Sequence, residues 1–122
     1  MGVNVSQKQV AEWEKKYGAD NVKKMTVHGS NGEEWNMYFM LPQVHPKRRM
    51  LYSRALTFVS NNQRLEAGEL ILSECLLQGD EVFSDNNHLA YISAAIDLGK
   101  HIGLLETSTT SISTKSTEAT QK

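Results

Sequence analysis

Any catalytic or metal chemistry in this chain has to come from four histidines, one cysteine and a set of carboxylates. His28, His45, His88 and His101 are spread along the sequence, and none has another at the i+3 or i+4 spacing that sets two imidazoles on one helix face. Cys75 has no second cysteine to complete a CxxC pair or a disulfide, which makes a reducing compartment the default. It falls on the apolar side of a helical segment, where a thiol acts as a small hydrophobe. The stretch 80–87, DEVFSDNN, is acidic enough to suggest calcium, but its spacing fails. Counting from Asp80, the sixth position is Asp85 where a calcium loop needs glycine, and the twelfth is Tyr91 where it needs glutamate. Its Asp and Asn side chains read instead as caps for the helix that follows. The glycines are scattered at turns and helix ends, so no phosphate-cradling loop is present. The expectation is a protein with no enzymatic activity, no cofactor and no metal site.

Charge is the feature that breaks a local rule. Lys47, Arg48, Arg49, Arg54 and Arg64 fall between Tyr38 and Leu65 with no acid among them. Glu66, Glu69, Glu74, Asp80, Glu81 and Asp85 then follow with no base before Asn86. Lys47, Arg48 and Arg49 open a predicted helix, where the macrodipole favours negative charge and each misplaced cation costs about 0.3–1 kcal/mol at low salt. Three accounts are open. The helix start with its cations could hold a phosphate or an acidic partner segment. The acidic helix and loop, from this chain or a neighbouring subunit, could supply the countercharge. Or the helix could begin later, near Met50. Lys47, Arg48, Arg49 and Arg54 are therefore candidate partner or anion contacts.

The elements that position these residues can be read from periodicity. Ser6-Gln7-Lys8-Gln9 has the capping-box form, Val10, Trp13 and Tyr17 follow at helical spacing, and Gly18 supplies the stop, which predicts a helix over 7–17. Residues 21–27 and 33–41 alternate about the turn His28-Gly29-Ser30-Asn31-Gly32, the pattern of a β-hairpin. One face of such a hairpin has to pack on helices or another subunit, because an isolated pair of strands is marginal in water. A second helix is expected over 46–60, with Leu51, Tyr52, Ala55, Leu56, Phe58 and Val59 on one side. A third, over 63–78, is apolar round most of its circumference and should be central. A fourth is expected over 88–103, with Leu89, Ile92, Ala95, Ile96 and Gly99 on one face. The fold class is α+β: an N-terminal helix and one hairpin, with a three-helix bundle packed on it.

Residues 107–122, TSTTSISTKSTEATQK, hold one large apolar side chain, Ile112, and read as a disordered Ser/Thr-rich tail after a compact domain of residues 1–106. With 13 Lys+Arg against 14 Asp+Glu in 122 residues, the net charge of -1 excludes a polybasic protein held to nucleic acid by bulk charge. No apolar run reaches the roughly 18 residues of a membrane helix. The first residues lack the basic-then-apolar pattern of a secretory signal, while Gly2 and Ser6 fit the short, common pattern for myristoylation.

In order and in local motifs the chain resembles the short phage and prophage proteins known as tail assembly chaperone-like. The resemblance spans about residues 10–105. It rests on the helix ending Tyr17-Gly18, the turn Gly32-Glu33, the strand end Tyr38-Phe39-Met40-Leu41-Pro42, and Cys75-Leu76-Leu77-Gln78-Gly79-Asp80 closing a greasy helix. The family's usual basic strand end after Tyr-Phe is replaced here by Met40-Leu41, with the bases at 47–49. The resemblance implies a non-catalytic role in the cytoplasm of a bacterial host. Such chaperones coat the helical tape-measure protein, help recruit tail tube subunits, and then leave. It implies self-association, protein partners and no membrane, with no catalytic residue to carry over. Trp35, Met37, Tyr38 and Met40 are the candidate apolar client contacts, since methionine adapts to varied partners. The competing reading is a small phage nucleic-acid-associated or regulatory protein working through Lys47, Arg48, Arg49 and Tyr52.

Overall fold

The computed structural model describes residues 4–100 and 107–112. Its first helix, α1, spans Gln7–Tyr17 and starts as its sequence demands: the Gln9 N–H donates to Ser6 Oγ at 3.1 Å. Gly18, at φ 97°, ends it in a conformation that disfavours any side chain. The hairpin follows as β1 (Val22–His28) and β2 (Glu34–Met40), in antiparallel register from Val22↔Met40 to His28↔Glu34. Its turn uses Gly32 at φ 86°, and the Glu33 carboxylate accepts the Asn31 N–H at 3.0 Å.

The sheet has a third strand that periodicity did not predict. Helix α3 (Arg64–Cys75) does not run to residue 78; Leu76 turns extended and β3 (Leu76–Gly79) pairs antiparallel with β2. The sheet order is β1-β2-β3, so β2 is central, with an irregularity between Tyr38 and Phe39 where the register shifts. The hairpin thus gains a neighbour within its own chain, which answers the marginal stability of two strands. Gly79 allows the close approach there: a Cβ would press on the Met37 Cβ and the Phe83 ring.

Helix α2 spans Arg48–Ser60, beginning two residues later than expected, with Lys47 at its cap position and a 3-10 turn at Pro42–Val44 before it. Helix α4 spans Leu89–Leu98, and the stop expected at Gly103 lies outside the described residues. Helix α3 packs against both α2 and α4, and α4 also lies against β1. Met37 and Phe39 enter one cluster with Leu51, Ile71, Cys75 and Leu98, while Tyr38 meets α1 with its ring centroid 5.9 Å from that of Trp13. The sheet is therefore covered on both faces.

The buried face of α4 differs from the apolar face read from the sequence. Ala90, Ala94, Ala95 and Leu98 are buried, whereas Leu89 and Ile96 are exposed. Gly68 on α3 sets the close approach at Ala95: the Ala95 backbone carbonyl occupies the space its Cβ would need, so the two helices meet there over small residues. Residues 107–112 are exposed and without regular structure; the rest of the expected tail, 113–122, lies outside the described residues. No helix among the described residues is long and apolar enough to cross a membrane.

Candidate functional site

The basic segment sits at the start of α2, where a glycine-free, acid-free first turn leaves orphan N–H groups. One is taken by a histidine rather than the usual Ser, Thr or Asp: the Lys47 N–H donates to His45 Nδ1 at 2.9 Å. That bond puts the neutral imidazole's proton on Nε2, which lies 3.5 Å from Glu74 Oε1 on α3. The Arg48 guanidinium folds back, its Nη1 donating to the Gln43 carbonyl at 3.0 Å. The helix therefore begins at Arg48, two residues before the latest start considered.

The countercharge expected from the acidic segment is not made by direct ion pairs. Among the described residues, no acid lies within 4.0 Å of the charged groups of Lys47, Arg48, Arg49, Arg54 or Arg64. Glu74 faces His45 instead, and Glu69 accepts a 2.8 Å hydrogen bond from the Tyr91 hydroxyl. On α2 only Leu51 and Ala55 are fully buried. Leu56 and Val59, expected to face inward, are 39% and 40% exposed, and Met50 is 37% exposed. They flank the solvent side of α2, Leu56 and Val59 toward Arg49 and Met50 toward Arg54, with Ser53 and Thr57 between, an open surface that carries two cations and no acid.

Of the four candidate client contacts, the structure removes three. Met37 and Met40 are buried in the cluster with Leu51, Ile71 and Leu98, and Tyr38 is buried on the other side, where its ring meets Trp13 of α1. Trp35 alone is half-buried. Its ring meets that of His88 edge-on, centroids 5.1 Å apart and planes at 81°. Together with Val27, Glu33 and Leu89 the pair lines an open groove of about 380 Å³ between the hairpin tip and the start of α4. Leu89 is 73% exposed at its edge. His88 also caps α4, accepting the Ala90 N–H on Nδ1 at 3.0 Å. The loop acids expected to cap that helix do other things: Asp85 Oδ1 accepts the Asn87 N–H at 3.0 Å, and Asp80 binds β2. Sequence reasoning missed His88 and Leu89 as groove residues. Their only signal was a large apolar residue directly after a histidine at a helix start.

The remaining nucleophile and acid candidates have structural surroundings. Cys75 is buried, and burial first, then the Glu74 carboxylate, push its thiol up to about 12. The thiolate is therefore scarce at neutral pH. Tyr91 is likewise pushed up to about 12, by burial and then by its hydrogen bond to Glu69. Among the described residues no group of three or more His, Cys, Asp and Glu side chains could hold a metal ion. Comparison with protein-family models, curated proteins and solved structures finds no match to this chain.

Proposed function

We propose that this chain is a non-catalytic assembly protein, a phage tail assembly chaperone that binds a helical client, the tape-measure protein, with tail tube subunits as further partners, and that it self-associates in the cytoplasm of a bacterial host. The observation that carries the reading is the open face of α2. There Met50, Leu56 and Val59 are exposed on the same solvent side as Arg49 and Arg54, which have no acidic partner among the described residues. An apolar, cationic helix face suits the apolar stripe and acids of an amphipathic client helix, where burial supplies affinity and charge supplies register. The test is co-expression with a phage tape-measure protein as client. The client should stay in solution and co-purify with this chain, and Leu56→Glu/Val59→Glu should reduce both. A client whose solubility and recovery are the same with and without this chain removes the proposal.

The exposed Arg49 and Arg54, unpaired among the described residues, also support the regulatory nucleic-acid reading. That reading requires binding that weakens steeply as salt rises, and a flat salt dependence removes it.

A further inference from the structure

We propose that copies of this chain join head to tail, the open face of α2 in one copy seating in the groove between the hairpin tip and the start of α4 in the next. This rests on the self-associating part of the proposed function and names its two surfaces.

The two surfaces are complementary in both apolar character and charge. The groove is lined by Trp35 and Val27 with Leu89 at its edge, and its volume of about 380 Å³ accommodates aliphatic side chains of the size of Leu56 and Val59. Glu33 lines it together with His28, whose ring meets the Glu34 carboxylate at 3.4 Å, and Asp85 lies in the loop that leads to His88. Among the described residues no Lys or Arg lines it. The α2 face carries Arg49 and Arg54 and no acid. Arg49 and Arg54, with no ion pair in their own chain among the described residues, meet the Glu33 carboxylate, which accepts only a backbone N–H, that of Asn31, among the described residues. A second copy supplies both halves of this match, since every copy carries both.

The geometry also selects the symmetry. A two-fold contact of α2 on α2 would set Arg49 and Arg54 against their own equivalents, a like-charge arrangement that costs rather than stabilises. Helix α3 packs against both α2 and α4, which places the two surfaces on separate flanks of the helix layer. Surfaces on separate flanks cannot both be matched within one dimer, so the contact closes into a ring or continues as a filament. Leu89, the most exposed large apolar side chain of the helices, becomes covered in that contact.

The test uses the full chain in sedimentation velocity over a micromolar concentration series. Wild type should form species larger than a dimer, and these should shrink as salt rises. Leu56→Glu/Val59→Glu spoils the α2 face and Leu89→Asp spoils the groove. Leu89→Asp adds an acid to the first turn of α4, where it is favoured. Each variant alone should weaken association by about tenfold or more. An equimolar mixture of the two should give a one-to-one heterodimer and nothing larger, because one good α2 face and one good groove remain. Arg49→Glu/Arg54→Glu, which changes only exposed head groups, repeats the α2 result if the first variant folds poorly. Monomeric wild type, variants that associate like wild type, or a mixture that stays monomeric each overturns the proposal. Leu89→Asp keeps its α2 face, so client recovery that survives in it while association is lost leaves the client reading standing. Wild type that associates but recovers no client sinks that reading alone.

Discussion

The backbone N–H of Asn36 donates to the Asp80 carboxylate, Oδ2, at 2.7 Å, and the Asp80 N–H donates back to the Asn36 carbonyl at 3.0 Å. A side-chain oxygen thus takes the place of a strand carbonyl and carries the β2–β3 ladder one step past Gly79. Asn36 is buried, and its Oδ1 accepts the Thr26 hydroxyl at 2.7 Å, so the pair ties all three strands together at the tip end of the sheet.

Asp80→Ala leaves the Asn36 N–H without that acceptor in a buried position. The expected loss is about 1.5–3 kcal/mol, the range for hydrogen bonds to charged groups. Asp80→Asn keeps an acceptor oxygen and should lose less. Urea unfolding with an unchanged slope measures both; an alanine variant within about 0.5 kcal/mol of wild type would show that the bond carries little of the β3 pairing.

Gly68 sets two rules against each other. Helix propensity alone says that Gly68→Ala stabilises α3 by about 1 kcal/mol. The Ala95 carbonyl occupies the space a Cβ would need, and it is backbone, which cannot swing aside. Separating α3 from α4 should win, with a net loss of about 1–3 kcal/mol and a lower thermal midpoint. A stabilised Gly68→Ala protein would mean that the helices are not held this close.

Two groups predict the alkaline limit of the fold. Cys75 rises from 9.0 to about 12 and Tyr91 from 10.0 to about 12 on folding, burial being the larger cause in each. A raised folded-state pKa stabilises fully below the unfolded value and is lost as pH climbs through the folded one. Stability should therefore fall from about pH 9 upward, first through Cys75 and then through both groups. Tyr91→Phe should flatten the part above about pH 10, and Cys75→Ala the part that starts near 9, read as slopes so that the cavity left by the thiol does not enter. Equal slopes in wild type and both variants would contradict the assignment.

How much of this was legible depended on whether an element's own residues or its neighbour decided the outcome. Helix α1 was legible because Ser6 and Gly18 mark its ends regardless of context, and the hairpin because Asn31-Gly32 and strict alternation fix its register. Strand β3 was hidden: Leu76 and Leu77 continue the apolar run of α3, and a four-residue apolar stretch suits strand and helix alike. The buried face of α4 was misread because the close approach at Ala95 is set by Gly68, on another helix. The exposed arginines of α2 could be picked out by type. The histidine caps could not, since imidazole is an uncommon stand-in for Ser or Asp, and Met37, Tyr38 and Met40 looked available because the helices that cover them, the bundle over Met37 and Met40 and α1 over Tyr38, are not written in the strand.

Met37 and Leu89 separate core from contact surface in a single comparison. Met37 is wholly inaccessible in the main cluster, so Met37→Ala should cost about 2–5 kcal/mol with little room for relaxation on the crowded Gly79 side. Leu89→Ser removes an exposed side chain and should change stability by no more than about 0.5 kcal/mol. Their effects on association should be reversed. Below its unfolding transition the Met37→Ala chain should associate like wild type, whereas Leu89→Ser should associate more weakly at unchanged stability. Paired denaturation and sedimentation measurements decide it, and a Met37→Ala chain that is fully folded yet loses association would return the strand residues to the contact surface.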